Sequence, residues 1–537
     1  MQKTENKILT ASQILIKIFE KLGIRDVFGY PGGTVVDLYD EIQQSSIKHY
    51  LMQCEQSVVH AAEGYSRVSE RCGVGVVTAG PGALNTVTGL ANAYLDGFPM
   101  LLIAGDINSS HEGKDAFQEV NFPEIVKSCV KYVFKISDVE ELESTVLQAY
   151  LIAMSGKKGP VVIDIPSDIF KQKTEYKDLG LPSDKVETVS DIDVTRAIEI
   201  LKNAKSPLIV CGGGVFHSKA SRELEKLAEY LNIPVVTTMM GVSSFSSENS
   251  LCAGMIGVFG HKTANKLLKN ADTLLVLGAR FNDRVVLPSE LENLNSKTII
   301  QVDINSKELI RNLSSDLAVN ADIKMFLNLL LAKIRLESIS DFVYEYKDNL
   351  KFIEDDESGK ITSKTIASTV GNLLKGCLIA TDVGQHQISV IKNCKFNFPG
   401  QLLTSGGLGT MGFGFGAAIG ASIATGGKPV ALFTGDGSFQ MSLAELAVCK
   451  RYGIPIKIFV INNGELGLVR QLQDKLFDGR HPEISLCNPD FALLAGSYGI
   501  NAERVENYSE ISASVQRAFS ENKPYLIDFI ISESEIV

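Results

Sequence analysis

Gly435-Asp436-Gly437 and, one strand-helix-strand interval later, Asn462-Asn463 are the residues whose types and spacing most directly suggest chemistry. Paired glycines let a backbone approach a phosphate closely, and a carboxylate with an amide oxygen are hard ligands suited to Mg²⁺. Asp436 and an amide oxygen of the Asn462-Asn463 pair are the candidate metal ligands, with Gly435 and Gly437 as the candidate phosphate cradle. A second candidate is Glu55 in Cys54-Glu55-Gln56, placed where a strand meets a helix, so that its carboxylate faces the end of a sheet. Taken alone, a GDG is more often a polar turn in a βαβ crossover, and a lone Glu more often a solvated surface residue.

These residues need a scaffold. Val430 to Phe433 reads as a buried parallel strand that delivers Asp436 at its carboxyl end, where α/β sheets place their ligands. Ser442 is expected to cap the next helix, whose Leu443, Leu446, Ala447 and Cys449 recur at helical spacing before Gly453 and Pro455 end it. The strand Ile456 to Ile461 then brings the asparagine pair beside Asp436. Similar apolar runs recur at Val74 to Val77, Met100 to Ile103, Val161 to Ile165, Leu208 to Val210, Thr273 to Leu277, Ile299 to Val302, Leu378 to Ala380 and Leu526 to Ile531. Alternating with amphipathic helical stretches, they predict an α/β fold of doubly wound parallel sheets. Two polar stretches, Lys171 to Asp191 and Leu336 to Thr362, read as linkers and divide the chain into domains at 1–170, 192–335 and 363–537. In the first, Phe28 to Gly33 reads as a tight loop, Val58 to Ser66 as a helix, and Thr78 to Gly82 as a strand end, with Asn85 opening another helix.

A chain of 537 residues is too long for one core, and about three domains is the natural expectation. Its net charge of −11 and the absence of a basic patch argue against nucleic acid or an anionic membrane as main partner. The amino terminus reads as a polar tail and an amphipathic helix without a signal-peptide core, and no run of about 18 apolar residues occurs, so a cytoplasmic location is expected. The nine cysteines form no CxxC pair and are odd in number, which argues against a disulfide framework or a zinc site.

FGYPGG, CEQSVVHAAEGYSR, AGPGALNTVTGLANAY, DAFQEV, the GDGS-to-NN block, TDVGQHQ and TSGGLGTMGFG, in this order and spacing, resemble the catalytic large subunit of acetohydroxyacid synthases (acetolactate synthases). The resemblance covers nearly the whole chain. It implies a thiamine diphosphate (ThDP) enzyme with a pyrimidine-binding first domain, a central domain and a diphosphate-binding last domain. It also implies a homodimer or homotetramer with the cofactor between the first domain of one subunit and the last of another, and leaves room for a regulatory subunit.

The chemistry requires a carbanion at thiazolium C2 and an electron sink, which the cofactor supplies. By resemblance, Glu55 hydrogen-bonds the aminopyrimidine N1′ and shuttles a proton, and Met411 supports the V shape of the cofactor. Gly32, Gly33, Gln118 and Lys131 match positions on the reactive face, although Lys131-Tyr132 departs from the family's Lys-His. Pro81 and Asn85 match the pyrimidine side; Gln385, His386, Gln387, Gly409 and Ser438 match the diphosphate side, and Asp436, Asn463 and the backbone carbonyl near Glu465 match the family's Mg²⁺ ligands. In the central domain, CGGG (Gly212, Gly213, Gly214), TTMMG (Thr238), GARFNDRV (Gly278, Arg280, Asp283), VDIN (Asp303) and Asp322 resemble segments that hold a structural FAD in the anabolic branch. Arg284 matches the residue that grips the carboxylate of the second 2-ketoacid, a bidentate task suited to a guanidinium. Phe117, Val258 and Leu472 match other substrate positions.

Departures cluster on the acceptor side. The family's GMHG reads Gly257-Val258-Phe259-Gly260 here, its VRQWQ reads Val469-Arg470-Gln471-Leu472-Gln473, and the chain has no tryptophan. Pyruvate-to-acetolactate carboligation is the favoured expectation. Carboligation onto another ketone such as a keto-sugar nucleotide, a flavin-dependent pyruvate oxidase, and a catalytically silent ThDP/FAD-binding protein are the alternatives. Retention of Glu55, Asp436, Asn463 and Met411 argues against the last.

Overall fold

Strands that are apolar on both faces can be buried only in a sheet covered by helices on both sides, and the apolar runs of this chain lie in such sheets. The computed structural model describes residues 7–181, 188–286, 291–336, 359–374, 376–531 and 535–537. After β1 (Ile8–Thr10), the first domain contains β2 (Asp26–Tyr30), β3 (Lys48–Leu51), β4 (Gly73–Val77), β5 (Met100–Asp106), β6 (Tyr132–Lys135) and β7 (Pro160–Pro166), followed by β8 (Lys173–Glu175). The central domain contains β9 (Pro207–Cys211), β10 (Val235–Thr237), β11 (Cys252–Met255), β12 (Thr273–Leu277), β13 (Thr298–Asp303) and β14 (Leu317–Asn320). The third contains β15 (Leu378–Thr381), β16 (Leu402–Leu403), β17 (Val430–Gly435), β18 (Ile456–Asn462), β19 (Asn501–Val505) and β20 (Tyr525–Ile530).

The first sheet runs β3-β2-β4-β5-β7-β6 and the third β16-β15-β17-β18-β20-β19, so both follow one strand plan. The central sheet runs β11-β10-β9-β12-β13-β14, the order of dinucleotide-binding domains. Pairing within all three sheets is parallel. The expected α/β class therefore holds, and every expected apolar run is a strand. The strands that hydropathy missed lie toward sheet margins: β3 is KHYL, β19 is NAERV and β14 alternates buried with exposed residues, so none forms an apolar run.

Four local expectations are corrected. Phe28, Gly29 and Tyr30 belong to β2, hydrogen-bonded to β3 and β4, and the turn begins only at Pro31. The helix expected from Val58 starts at Glu55 and runs to Ser69. The helix after β17 starts at Asp436 itself, ends at Ser442, and gives way to a 3-10 turn and a second helix, Leu446–Tyr452. Ser442 accepts no capping bond; its buried hydroxyl has no partner, because the chain turns there instead of starting a helix. The stretch read as the first linker contains β8, which pairs antiparallel with β1 and ties down the start of the chain. Most of the second expected linker, residues 337–358, lies outside the described residues. All nine cysteines are free, five of them buried, and no described helix is long and apolar enough to cross a membrane.

One apolar core runs unbroken from the first domain to the third, from Val58, Ala61 and Tyr65 to Phe413, Phe415 and Ala417. It is built on a crossing of helix Glu55–Ser69 with helix Phe413–Ala424. A Cβ on Gly64 would overlap the carbonyl of Ala417, and one on Gly420 the carbonyl of Ala61, so the two backbones touch. Gly420→Ala forces the helices apart against backbone, which cannot rotate away, and is expected to destabilise the protein by about 3 kcal/mol, the upper end for overpacking. Thermal unfolding of the variant checks this.

Candidate active site

In open parallel sheets the crevice outside the carboxyl ends, where neighbouring connections run in opposite directions, is the natural ligand site. In the third domain that point lies between β15 and β17, and a cavity of about 210 Å³ opens there. Gln385, His386, Gly409, Met411, Gly435, Asp436, Gly437, Ser438, Asn463 and Glu465 all line it, as the sequence led us to expect. Asp436 is nearly enclosed: Oδ2 accepts from Gly464 N–H at 2.8 Å and from Asn488 Nδ2 at 2.7 Å, and Oδ1 accepts from Gly437 N–H at 3.0 Å. Burial pushes its carboxyl above the ordinary range, with these hydrogen bonds opposing. Asn463 Oδ1 accepts from Glu465 N–H at 3.2 Å. Among the described residues no three His, Cys, Asp or Glu side chains converge to hold a metal, so an ion here depends on amide, carbonyl and ligand oxygens to complete its shell.

His386 lies against Gly384 and Gly435. Burial lowers its pKa to about 4, and its Nε2 has no partner. A cavity lined by Gly384, Gly409, Gly435 and Gly437 with the neutral His386 ring beside it fits a diphosphate. Gln385 Nε2 donates to Gln471 Oε1 at 3.2 Å and to the Glu535 carbonyl at 2.6 Å. Sequence reasoning missed Asn488, which also donates to Asn462 Oδ1 at 3.0 Å. Its only signal was an Asn-Pro-Asp turn far along the chain from the motif it supports.

The first domain forms a matching constellation where β2 and β4 diverge. Glu55, half-buried, accepts from Asn85 Nδ2 at 2.9 Å through Oε2. Gly80-Pro81-Gly82 lies between Glu55 and Gln118: a Cβ on Gly80 would press on the Gln118 side chain, and one on Gly82 would come 3.4 Å from Glu55 Oε1. Gln118 has φ 65°, a left-handed conformation imposed by Glu119, whose carboxylate accepts the Ala116 N–H at 2.8 Å and folds the turn back. Gly32 sits against Thr78, Gly33 faces open space, and Phe117 is 88% exposed. None of these residues lines the Asp436 cavity. Within one chain the two halves stay apart.

Lys131 does not join them. It precedes β6 at the amino end of the sheet, and its Nζ donates to the carbonyls of Ile152 and Ser155 at 2.5 Å each, at the end of helix Leu142–Met154. Lys297 and Lys457 bind backbone carbonyls just beyond helices of the other two domains in the same way. Such lysines satisfy carbonyls left over at a helix end, so the reactive-face assignment is corrected to a structural one.

The central domain carries a larger cavity, about 740 Å³, at the carboxyl ends of its strands. Gly213, Gly214, Thr238, Gly278, Arg280, Asp283, Asp303 and Asp322 line it. Gly212 does not; it lets the loop after β9 pass against the Gly278 carbonyl. Burial raises the Asp303 carboxyl to about 6, while Asn305 N–H binds it. Lys157, its ammonium disfavoured by burial and by Arg280, adds a cation that sequence reasoning missed. The volume falls within the range of about 300–1,000 Å³ usual for cofactor pockets, and cations with buried carboxylates suit a phosphorylated, hydroxyl-bearing ligand.

On the acceptor side Arg284 lines this cavity, and its carbonyl accepts the Val258 N–H at 3.0 Å, so these two expected residues are neighbours. Val258 is 45% exposed and Leu472, on helix Gly467–Phe477, is 55% exposed.

The chain matches three family models: the "thiamine pyrophosphate enzyme, N-terminal TPP binding domain" over residues 9–125, the central domain over 194–330, and the C-terminal TPP binding domain over 382–529. It is 37% identical to the acetolactate synthase large subunit of Lactococcus lactis subsp. lactis, over 99% of this chain and 94% of that protein. It is 36% identical to the acetolactate synthase large subunit of Cyanidium caldarium, over 99% and 95%. Against the acetolactate synthase isozyme 3 large subunit of Escherichia coli the identity is 32%, over 99% and 96%.

Asn488→Ala removes the donor that fixes Asp436 Oδ2 and is expected to weaken Mg²⁺-dependent ThDP binding about 10- to 100-fold, the usual cost of losing a group that orients a metal ligand. Asp436→Ala is expected to abolish it. Calorimetric titration of both variants distinguishes the two effects.

Proposed function

We propose that this chain, which belongs to the acetolactate synthase large-subunit family of thiamine diphosphate enzymes, decarboxylates pyruvate and joins the two-carbon unit to a second pyruvate, giving 2-acetolactate. This is the carboligation of branched-chain amino acid biosynthesis. The observation that carries the reading is the pair of half-sites, the Glu55 carboxylate at the β2/β4 crevice and the enclosed Asp436 carboxylate at the β15/β17 crevice. When bound, ThDP supplies the electron sink that decarboxylation of a 2-ketoacid requires.

The residues of the chain do the rest. Asp436, Asn463 and the Glu465 carbonyl would hold Mg²⁺, and His386 would face the diphosphate. Met411, in the lining of the same cavity, would supply apolar support to the cofactor. Glu55, fixed by Asn85, would hold and move a proton at its carboxylate on the pyrimidine side of the site. Gln118, locked over Gly80, offers an amide to the substrate oxygen. Arg284 selects a carboxylate-bearing acceptor.

The separation of Glu55 from Asp436 within one chain, and the exposure of Phe117 and Met441, support a homodimer in which a second copy brings its Glu55 to the Asp436 cavity. The family relatives are named large subunits, which supports a separate regulatory subunit. We assign FAD to the central cavity on its dinucleotide-type strand order, volume and charged lining. Since the reaction has no net redox change, the flavin's role would be structural, and it should stay oxidised when pyruvate is added anaerobically. Bleaching would favour an oxidase. Identification of the product formed from pyruvate, ThDP and Mg²⁺ tests the whole reading; a product other than 2-acetolactate overturns it.

Glu55→Gln is expected to retain ThDP affinity but lose most exchange of the cofactor's C2 proton, since an amide cannot relay that proton. NMR-detected deuterium exchange is the measurement. Leu472→Trp is expected to raise the preference for 2-ketobutyrate over pyruvate as acceptor by about 10- to 200-fold at most, the reach of one methylene contact. The ratio of products in a competition assay gives the answer, and the wild type should discriminate weakly.

A further inference from the structure

A buried polar cluster lies between the two cavities, and the reaction as described makes no use of it. Arg67 Nη2 is 2.6 Å from Glu63 Oε1 and 2.6 Å from Asp96 Oδ2, with all three side chains almost fully enclosed. The guanidinium lies 4.1 Å over the Phe98 ring and 4.9 Å over that of Phe413. Asn92 Nδ2 donates to Glu63 Oε2 at 2.9 Å. This first-domain cluster aims its remaining acceptors at the third domain. Gly407 N–H donates to Asp96 Oδ1 at 2.7 Å, and the hydroxyls of Ser405 and Thr410 donate to Asn92 Oδ1 at 2.5 and 3.0 Å. Ser405 Oγ in turn accepts the N–H groups of Gly409 and Thr410 at 3.1 and 2.9 Å.

The segment so held is pinched from both sides. Any Cβ on Gly407 would overlap Leu95 and Asp96, and any on Gly406 would overlap Met240 of the central domain. Residues 405–409, Asp96 and Met240 line the central cavity, while Gly409 and Met411 line the Asp436 cavity. Val383, Gly409 and Leu468 line both. Stability alone does not call for such a cluster, because buried charges cost desolvation and apolar residues of equal volume often stabilise as well or better. Aligned acceptors do something apolar residues cannot: they fix glycine N–H groups in one conformation.

We propose that Asp96, Arg67 and Ser405 are positioning residues that hold the 405–411 segment as a common wall, and that through this wall dinucleotide binding in the central cavity and ThDP binding beside Asp436 are coupled. The proposal rests on the flavin assignment made above. Held as one unit, the wall has a single position for both of its ends, so a ligand that favours this position at Gly406 and Met240 also sets it at Gly409 and Met411, where ThDP would bind. Linkage then requires each cofactor to tighten the other by the same factor.

The test measures the ThDP dissociation constant by calorimetry in Mg²⁺ with flavin-stripped and FAD-saturated protein, and the FAD dissociation constant by flavin fluorescence with and without ThDP. Wild type is expected to show equal mutual tightening of at least about 5-fold. Asp96→Asn should bring the factor to about one; Ser405→Ala, which deletes a single hydroxyl, should do the same, with thermal unfolding of both variants to establish that the fold is kept. Failure of FAD to bind overturns the flavin assignment and the coupling together. Binding of both cofactors with a wild-type factor of one overturns the coupling alone, and an undiminished factor in Ser405→Ala overturns the role given to these residues.

Discussion

The crossing of helices Glu55–Ser69 and Phe413–Ala424, backbone against backbone at Gly64 and Gly420, is the contact on which the rest of this molecule depends. Close-packed interiors transmit displacement instead of absorbing it. One of these helices opens with Glu55, and the other follows directly on Met411. A shift at the crossing therefore moves Glu55 and Met411 together. Arg67, seated over Phe413, adds a polar clasp to the same joint.

All three sheets are parallel, and that fixes where chemistry is done. The carboxyl ends of the strands carry the loops that touch ligands, whereas the amino ends carry Lys131, Lys297 and Lys457, each satisfying carbonyls near a helix end. Polar groups at the ligand ends are held in states that water would not favour. Asp436 is pushed toward its protonated form by burial, His386 is kept neutral, and Asp303 titrates near about 6.

Much of this was legible in the sequence, because residues buried on both faces of a parallel sheet must be apolar without interruption. The runs at Val430, Ile456 and Thr273 announced their strands for that reason, and GDG with NN announced the cavity at the carboxyl ends of β17 and β18. Sequence was blind where one face meets water, as in β3 and β19. It was also blind to partners brought in by topology: Asn488 reaches Asp436 and Asp96 reaches Gly407 only after folding. Lys131 misled because the motif carries no information about which end of the sheet a residue occupies. Ser442 misled because a helix can begin on the last residue of the strand's turn, leaving no room for a separate cap.

The first and third sheets share one strand order although no repeat is visible in the residues. A plan of six parallel strands with the same two reversals is an unlikely coincidence, and it is what duplication of an ancestral unit leaves behind once side chains have drifted. The copies have since specialised. One crevice now presents Glu55 and the other Asp436, so the same strand plan carries two acids that no longer match in place or surroundings.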